Sequence, residues 1–141
     1  MLRRMVARRT WVVLAVVSSG LLTAGSAVAA NLRGERSVAG VRATLSQYDT
    51  ALLAGDGKTG CALLTKTVQK KVAAENHVAS CAEVFTAAEA AFKSDPKDAS
   101  ALRGYAGKVQ ITLSGDTASA PKFGASGRTT LTYTHGLWYL S

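Results

Sequence analysis

Residues 56–84 read DGKTGCALLTKTVQKKVAAENHVASCAEV, and this stretch decides how the chain folds. It holds the only two cysteines, Cys61 and Cys81. Each sits in an apolar pattern with steps of three and four, the period of a helix. Cys61, Leu64, Val68 and Val72 form one stripe, with Lys66, Lys70 and Lys71 off that face. Thr65 can divide the stripe into two short helices. Ser80-Cys81-Ala82-Glu83 has the form of a capping box, in which the serine bonds forward and the glutamate bonds back. It opens a further helix with an inner face of Cys81, Val84, Phe85, Ala88 and Phe92. A bridge between Cys61 and Cys81 would staple the two helices side by side. The alternatives are two free buried thiols or an intermolecular bridge, and the compartment decides among them.

That compartment is read from the other end of the chain. Arg3, Arg4, Arg8 and Arg9 precede an apolar run, Trp11 to Leu22, that is too short for an ordinary membrane span. Ala27-Val28-Ala29 follows as an A-x-A cleavage site, so residues 1–29 read as a secretory signal peptide. Arg8-Arg9-Thr10-Trp11-Val12 also loosely fits a twin-arginine signal. The expected product is secreted, with no stable membrane span after cleavage. In an oxidising compartment the expected state of the cysteines is a Cys61–Cys81 disulfide. Closing a loop of about twenty residues stabilises a fold by roughly 3 kcal/mol in the chain-entropy model.

Four of the 17 basic residues leave with the signal, so 13 remain against 9 acids, a net charge of about +4. A surplus that small does not imply nucleic-acid binding. No second Cys or His stands at ligand spacing, so neither a metal nor another cofactor is expected.

Working outward from the cysteines, residues 30–37 read as a polar linker and residues 38–141 as one domain. Ser37 is a good N-cap, and Val38, Val41, Leu45, Tyr48 and Leu52 give one face of an amphipathic helix. Gly55 ends that helix, and Asp56 can cap the next. After Asp95-Pro96 one more short helical turn is expected, ending at Gly104. The period then becomes two. Val109, Ile111 and Leu113 alternate with polar residues, and Ser114-Gly115-Asp116 turns the chain into a second strand. Pro121 to Gly127 is a glycine-rich loop. Arg128 to Thr134 makes a third strand, and His135-Gly136 leads into Leu137-Trp138-Tyr139-Leu140. Such a meander has one apolar face, and the helices are its available cover, so the fold class is α+β. Trp138 is expected between the last strand and the helices, near Phe85 or Phe92.

Tyr48-Asp49-Thr50-Ala51-Leu52-Leu53-Ala54-Gly55-Asp56 resembles the first helix of the NTF2-like superfamily, which often ends in Gly-Asp. Cys61 to Thr65, Ser80 to Ala82, Ser114 to Ala118 and Gly136 to Leu140 are similar to small secreted members from high-GC Gram-positive bacteria. The resemblance spans Val38 to Leu140 and implies helices packed on a curved antiparallel sheet, the NTF2-like cone. It implies no single activity, because the superfamily includes isomerases, dehydratases and cyclases as well as members with none assigned.

Asp49 is the carboxylate best placed for chemistry. It lies four residues after Leu45 and three before Leu52, beside the apolar stripe, and could enter the cone as a base with a raised pKa. A solvated helix edge is the plainer alternative. Tyr48, Tyr105, Tyr133 and Trp138 could line a pocket with hydroxyl and indole donors, or simply fill the core. His77 and His135 stand in polar turns. No Ser-His-Asp order is present, and Gly55 to Gly60 does not meet the phosphate-loop pattern. These residues favour a non-catalytic domain that binds a small apolar ligand or a cell-envelope partner through Tyr48, Asp49 and Tyr133. An isomerase- or dehydratase-type enzyme using Asp49 or a histidine is the second reading, and a structural or inhibitory envelope protein the third.

Overall fold

The fold is given by a computed structural model that describes residues 32–141, so the signal read in residues 1–29 lies outside the described residues. From Val38 onward five helices precede four strands. Ser37 starts α1 (Val38–Ala54) by accepting the Gly40 amide on its hydroxyl at 3.2 Å, and Gly55 ends it with φ +64°. Val41, Leu45 and Asp49, one helical turn apart, form its buried stripe, whereas Val38 is exposed.

Asp56 caps α2 (Gly57–Ala62), its carboxylate accepting the Thr59 amide at 3.0 Å. Hydrogen bonding from the Thr59 side chain, and then from its amide, holds the Asp56 pKa below the usual carboxylate range. Thr65 divides the lysine-bearing stretch as expected and becomes the N-cap of α3 (Lys66–Glu75). Between α2 and α3 the chain meets the sheet. Thr65 donates its amide to the Leu140 carbonyl and Leu140 donates to the Leu63 carbonyl, each at 2.9 Å. Leu63 and Leu64 are thereby buried against the last strand.

Cys61 and Cys81 form a disulfide with Cα atoms 6.1 Å apart. It joins the end of α2 to the first residue of α4 (Cys81–Ser94). The cap of α4 departs from the sequence expectation. The Ser80 hydroxyl makes no bond to a helix amide and points to Glu83 at 3.2 Å, while the Glu83 carboxylate accepts the Ala79 amide at 3.2 Å. The glutamate reaches one residue further back and occupies the serine itself. α2 lies close on α4. A Cβ on Gly60 would fall inside the Phe85 ring, so glycine here is what permits the contact.

α5 (Pro96–Lys108) runs 13 residues, longer than the expected turn, and passes through Gly104. Asp95 caps it by accepting from the Lys97 and Asp98 amides, and Pro96 sits in its first turn. Ala99, Leu102 and Ala106 then bury one face. This stripe against α1 outweighs the helix cost of Gly104, which is about 1 kcal/mol. The helix takes residues that alternation alone assigned to a strand. Val109 becomes its C-cap, and β1 shrinks to Thr112–Ser114.

β2 (Thr117–Pro121), β3 (Arg128–Thr134) and β4 (Leu137–Leu140) complete an antiparallel meander in the order β1-β2-β3-β4. Ala118 pairs with Leu131 and Leu131 with Leu140, so one face carries the buried residues. Trp138, two residues before Leu140, belongs to that face, and Val41, Leu45, Leu63 and Leu64 meet it to make the core.

Trp138 is fully buried, but its neighbours are not the expected phenylalanines. Its ring meets Tyr133 edge-on at 5.3 Å, and Phe85 lies outside the central cluster. Its indole N–H donates to the Glu35 carbonyl at 2.8 Å. The segment read as a linker is in fact held on the sheet from residue 33. Arg33 donates to the Trp138 carbonyl at 3.2 Å, Tyr133 donates to the Gly34 carbonyl at 2.7 Å, and Arg36 pairs with Asp116 at 2.9 Å. A buried indole N–H needs an acceptor, and this short segment provides it.

Candidate functional site

The stripe that buries Val41 and Leu45 reaches Asp49 one turn later, so helical geometry carries a carboxylate into the interior. Asp49 is only 6% exposed, and its Oδ2 atom is buried without a hydrogen-bond partner among the described residues. It faces a hollow of about 360 Å³. Leu45, Tyr48 and Leu52 of α1 form one wall, and Ala88 and Phe92 of α4 another. Leu102 and Tyr105 come from α5, Thr129 from β3 and Leu140 from β4. Lys122, Phe123 and Ala125 of the loop after β2 close the remaining side.

That loop is anchored from the helical layer. The Tyr105 hydroxyl donates to the Pro121 carbonyl, and the Tyr105 ring meets Phe123 edge-on at 5.6 Å. Lys122 donates its amide to the Gly127 carbonyl at 3.1 Å and closes the loop. Tyr48 is fixed from behind, where Phe85 meets its ring edge-on at 5.6 Å.

Burial penalises the ionised form of Asp49 and pushes its pKa up to about 7. Burial also raises the Tyr48 and Tyr105 hydroxyls, and the charge on Asp49 adds to both shifts. The tyrosines therefore stay protonated donors at neutral pH, while Asp49 is divided between its two forms. Lys122, the one basic residue in the lining, is exposed. The ion pairs among the described residues are Arg36–Asp116, Lys71–Glu75 and Lys93–Glu89, so none neutralises Asp49. A carboxylate that is buried, unpaired and divided between protonation states can accept a hydrogen bond, hold a cation or take a proton.

Of the residues singled out from the sequence, Tyr48, Asp49 and Tyr105 share this hollow, and Tyr133 and Trp138 do not. Tyr133 instead donates its hydroxyl to the Gly34 carbonyl and meets Trp138 edge-on. His77 and His135 are exposed in turns at φ +55° and +50°, away from the lining. Phe123 and Thr129 were not foreseen, because a loop has no periodic signal and the alternation of an interior strand does not tell which helix it faces. A second hollow of about 230 Å³ lies between Leu53, Phe92, Lys93 and Arg103 and contains no buried polar group.

No family model, curated protein or solved structure matches this chain.

Proposed function

We propose that the domain binds a small, mostly apolar molecule in the hollow beside Asp49. One observation carries this reading: a buried carboxylate oxygen without a partner in a hollow otherwise walled by aliphatic and aromatic groups. An unsatisfied buried acceptor costs roughly 1–3 kcal/mol or more, a cost that a ligand donor would relieve. A volume of about 360 Å³ falls at the lower end of ordinary ligand sites. The helices-then-meander order supports the NTF2-like resemblance, in which the hollow would be the interior of the cone. The charged start, short apolar run and A-x-A site of the sequence support export, and a disulfide suits that destination. Native mass spectrometry of the purified protein, with an apolar fluorescent probe as competitor, tests the reading. Ala88→Phe should fill the hollow and abolish probe binding. A protein that carries no ligand and takes up no probe would sink the idea.

The Asp49 pKa of about 7 favours a second reading, in which Asp49 is a general base for an isomerase or dehydratase. Turnover of such a substrate that vanishes in a folded Asp49→Asn variant would establish it.

A further inference from the structure

We infer that the molecule this hollow selects is an apolar amine, bound as its ammonium ion against the Asp49 carboxylate with its apolar body among the surrounding rings. The inference rests on the ligand-binding reading above and names the chemical class of the ligand.

Three features of the hollow favour an ammonium ion, and the first is charge. Asp49 is 6% exposed, and among the described residues no cation is paired with it. Burial accounts for its raised proton affinity. A buried charge is tolerated when it is paired and hydrogen-bonded. A ligand hydroxyl would satisfy the free Oδ2 atom but leave the charge uncompensated. An ammonium group would do both, through a charge-assisted bond about twice as strong as a neutral one. A carboxylate ligand would be repelled.

The second feature is the wall. Tyr48, Phe92, Tyr105 and Phe123 surround the same hollow. Aromatic faces attract cations, and the effect grows when the cation is desolvated. Anionic ligands gain nothing from these faces. A single lysine would oppose a cation, and it stands exposed at Lys122.

The third is proton linkage. The ionisable groups around Asp49 are Tyr48 on its own helix, Tyr105 from α5 and Lys122 from the loop. α4, β3 and β4 contribute only Ala88, Phe92, Thr129 and Leu140. With burial holding both tyrosines protonated, Asp49 is the group that titrates near neutrality. An ammonium ligand needs it ionised and so expels its proton on binding. Affinity therefore rises with pH across the Asp49 transition. If only the ionised fraction is competent, the amine binds roughly one to two orders of magnitude more weakly at about pH 5 than at about pH 8.

Four isosteres test this by calorimetry: phenethylamine, phenethyl alcohol, propylbenzene and phenylacetate. Each is titrated into the purified protein at both pH values and into Asp49→Asn, whose folding is checked by circular dichroism. The amine should bind about tenfold or more tighter than the alcohol at the higher pH. That preference should shrink at the lower pH and disappear in the variant. If the hydrocarbon or alcohol binds as well as the amine at both pH values, the amine inference is overturned and the apolar-ligand reading stands. Tightest binding by phenylacetate also overturns it. If none of the four binds the wild type, both readings fall. Should Asp49→Asn fail to fold, the ratio of amine to alcohol affinity at the two pH values in the wild type still decides.

Discussion

At the residue scale the chemistry concentrates on Asp49. Its pKa of about 7 in the folded state lies above the ordinary carboxylate value of 3.8, so between those values the folded protein holds a proton that the unfolded chain has released. Stability therefore falls as pH rises from about 4 to about 7, and the full penalty is present above that window. A shift of this size corresponds to a few kcal/mol, on the order of 1.4 kcal/mol per unit. Asp49→Asn removes the titration. In the ligand-free protein the variant should be more stable than wild type at pH about 8, with the advantage gone near pH about 4. Thermal melts of the two proteins across that range check the sign. A wild type that gains on the variant as pH rises would contradict it.

At the element scale the disulfide and one glycine set how α2 lies on α4. The bridge closes a separation of 20 residues. Replacing Cys61 and Cys81 by serine should cost roughly 3 kcal/mol, read from denaturant midpoints. Gly60→Ala is a sharper probe, because its methyl would overlap the Phe85 ring. Phe85 is fully buried and its other side meets Tyr48, so it has little room to yield. Overpacking of this kind costs about 1–3 kcal/mol. The displaced ring would also press Tyr48 toward the hollow, so Gly60→Ala should lower probe binding as well as the melting temperature. Probe affinity unchanged in the folded variant would show that the Phe85–Tyr48 contact does not shape the hollow.

At the scale of the whole molecule, three distant parts meet at Trp138: residues 33–36, the helical layer and the last strand. In a chain that lacks residues 1–29, Trp138 is the only tryptophan. Its emission should be blue-shifted and resistant to iodide. A chain that begins at Ser37 keeps the α1 cap but loses the Glu35 carbonyl that accepts the indole N–H. Its emission should shift to the red and its denaturant midpoint should fall. Trp138→Ala should cost roughly 3–5 kcal/mol, as large-to-small core changes do. Iodide quenching that is the same with and without the segment would show that residues 33–36 do not cover the ring.

What was legible in the sequence was local. Ser37, Gly55, Asp56 and Thr65 act where cap chemistry places them, because a side chain meets a helix amide within a few residues. The two cysteines, the helices-then-meander order and the hairpin turns were readable for the same reason. Asp49 was legible as a candidate, since a residue four after Leu45 shares its face. Where sequence reasoning went astray, a distant partner decided the outcome. α5 extended through Gly104 because α1 offers its alanine stripe a surface to cover. Residues 33–36 became part of the fold because a buried indole needed an acceptor. Tyr133 left the site because the Gly34 carbonyl took its hydroxyl. The amino-acid sequence by itself determined the caps, turns and alternating faces, whose energies are settled within one or two helical turns. Only the folded arrangement left Asp49 without an ion-pair partner among the described residues and brought Phe123 and Thr129 around its hollow. Burial and charge pairing depend on residues that the chain brings together only when it folds.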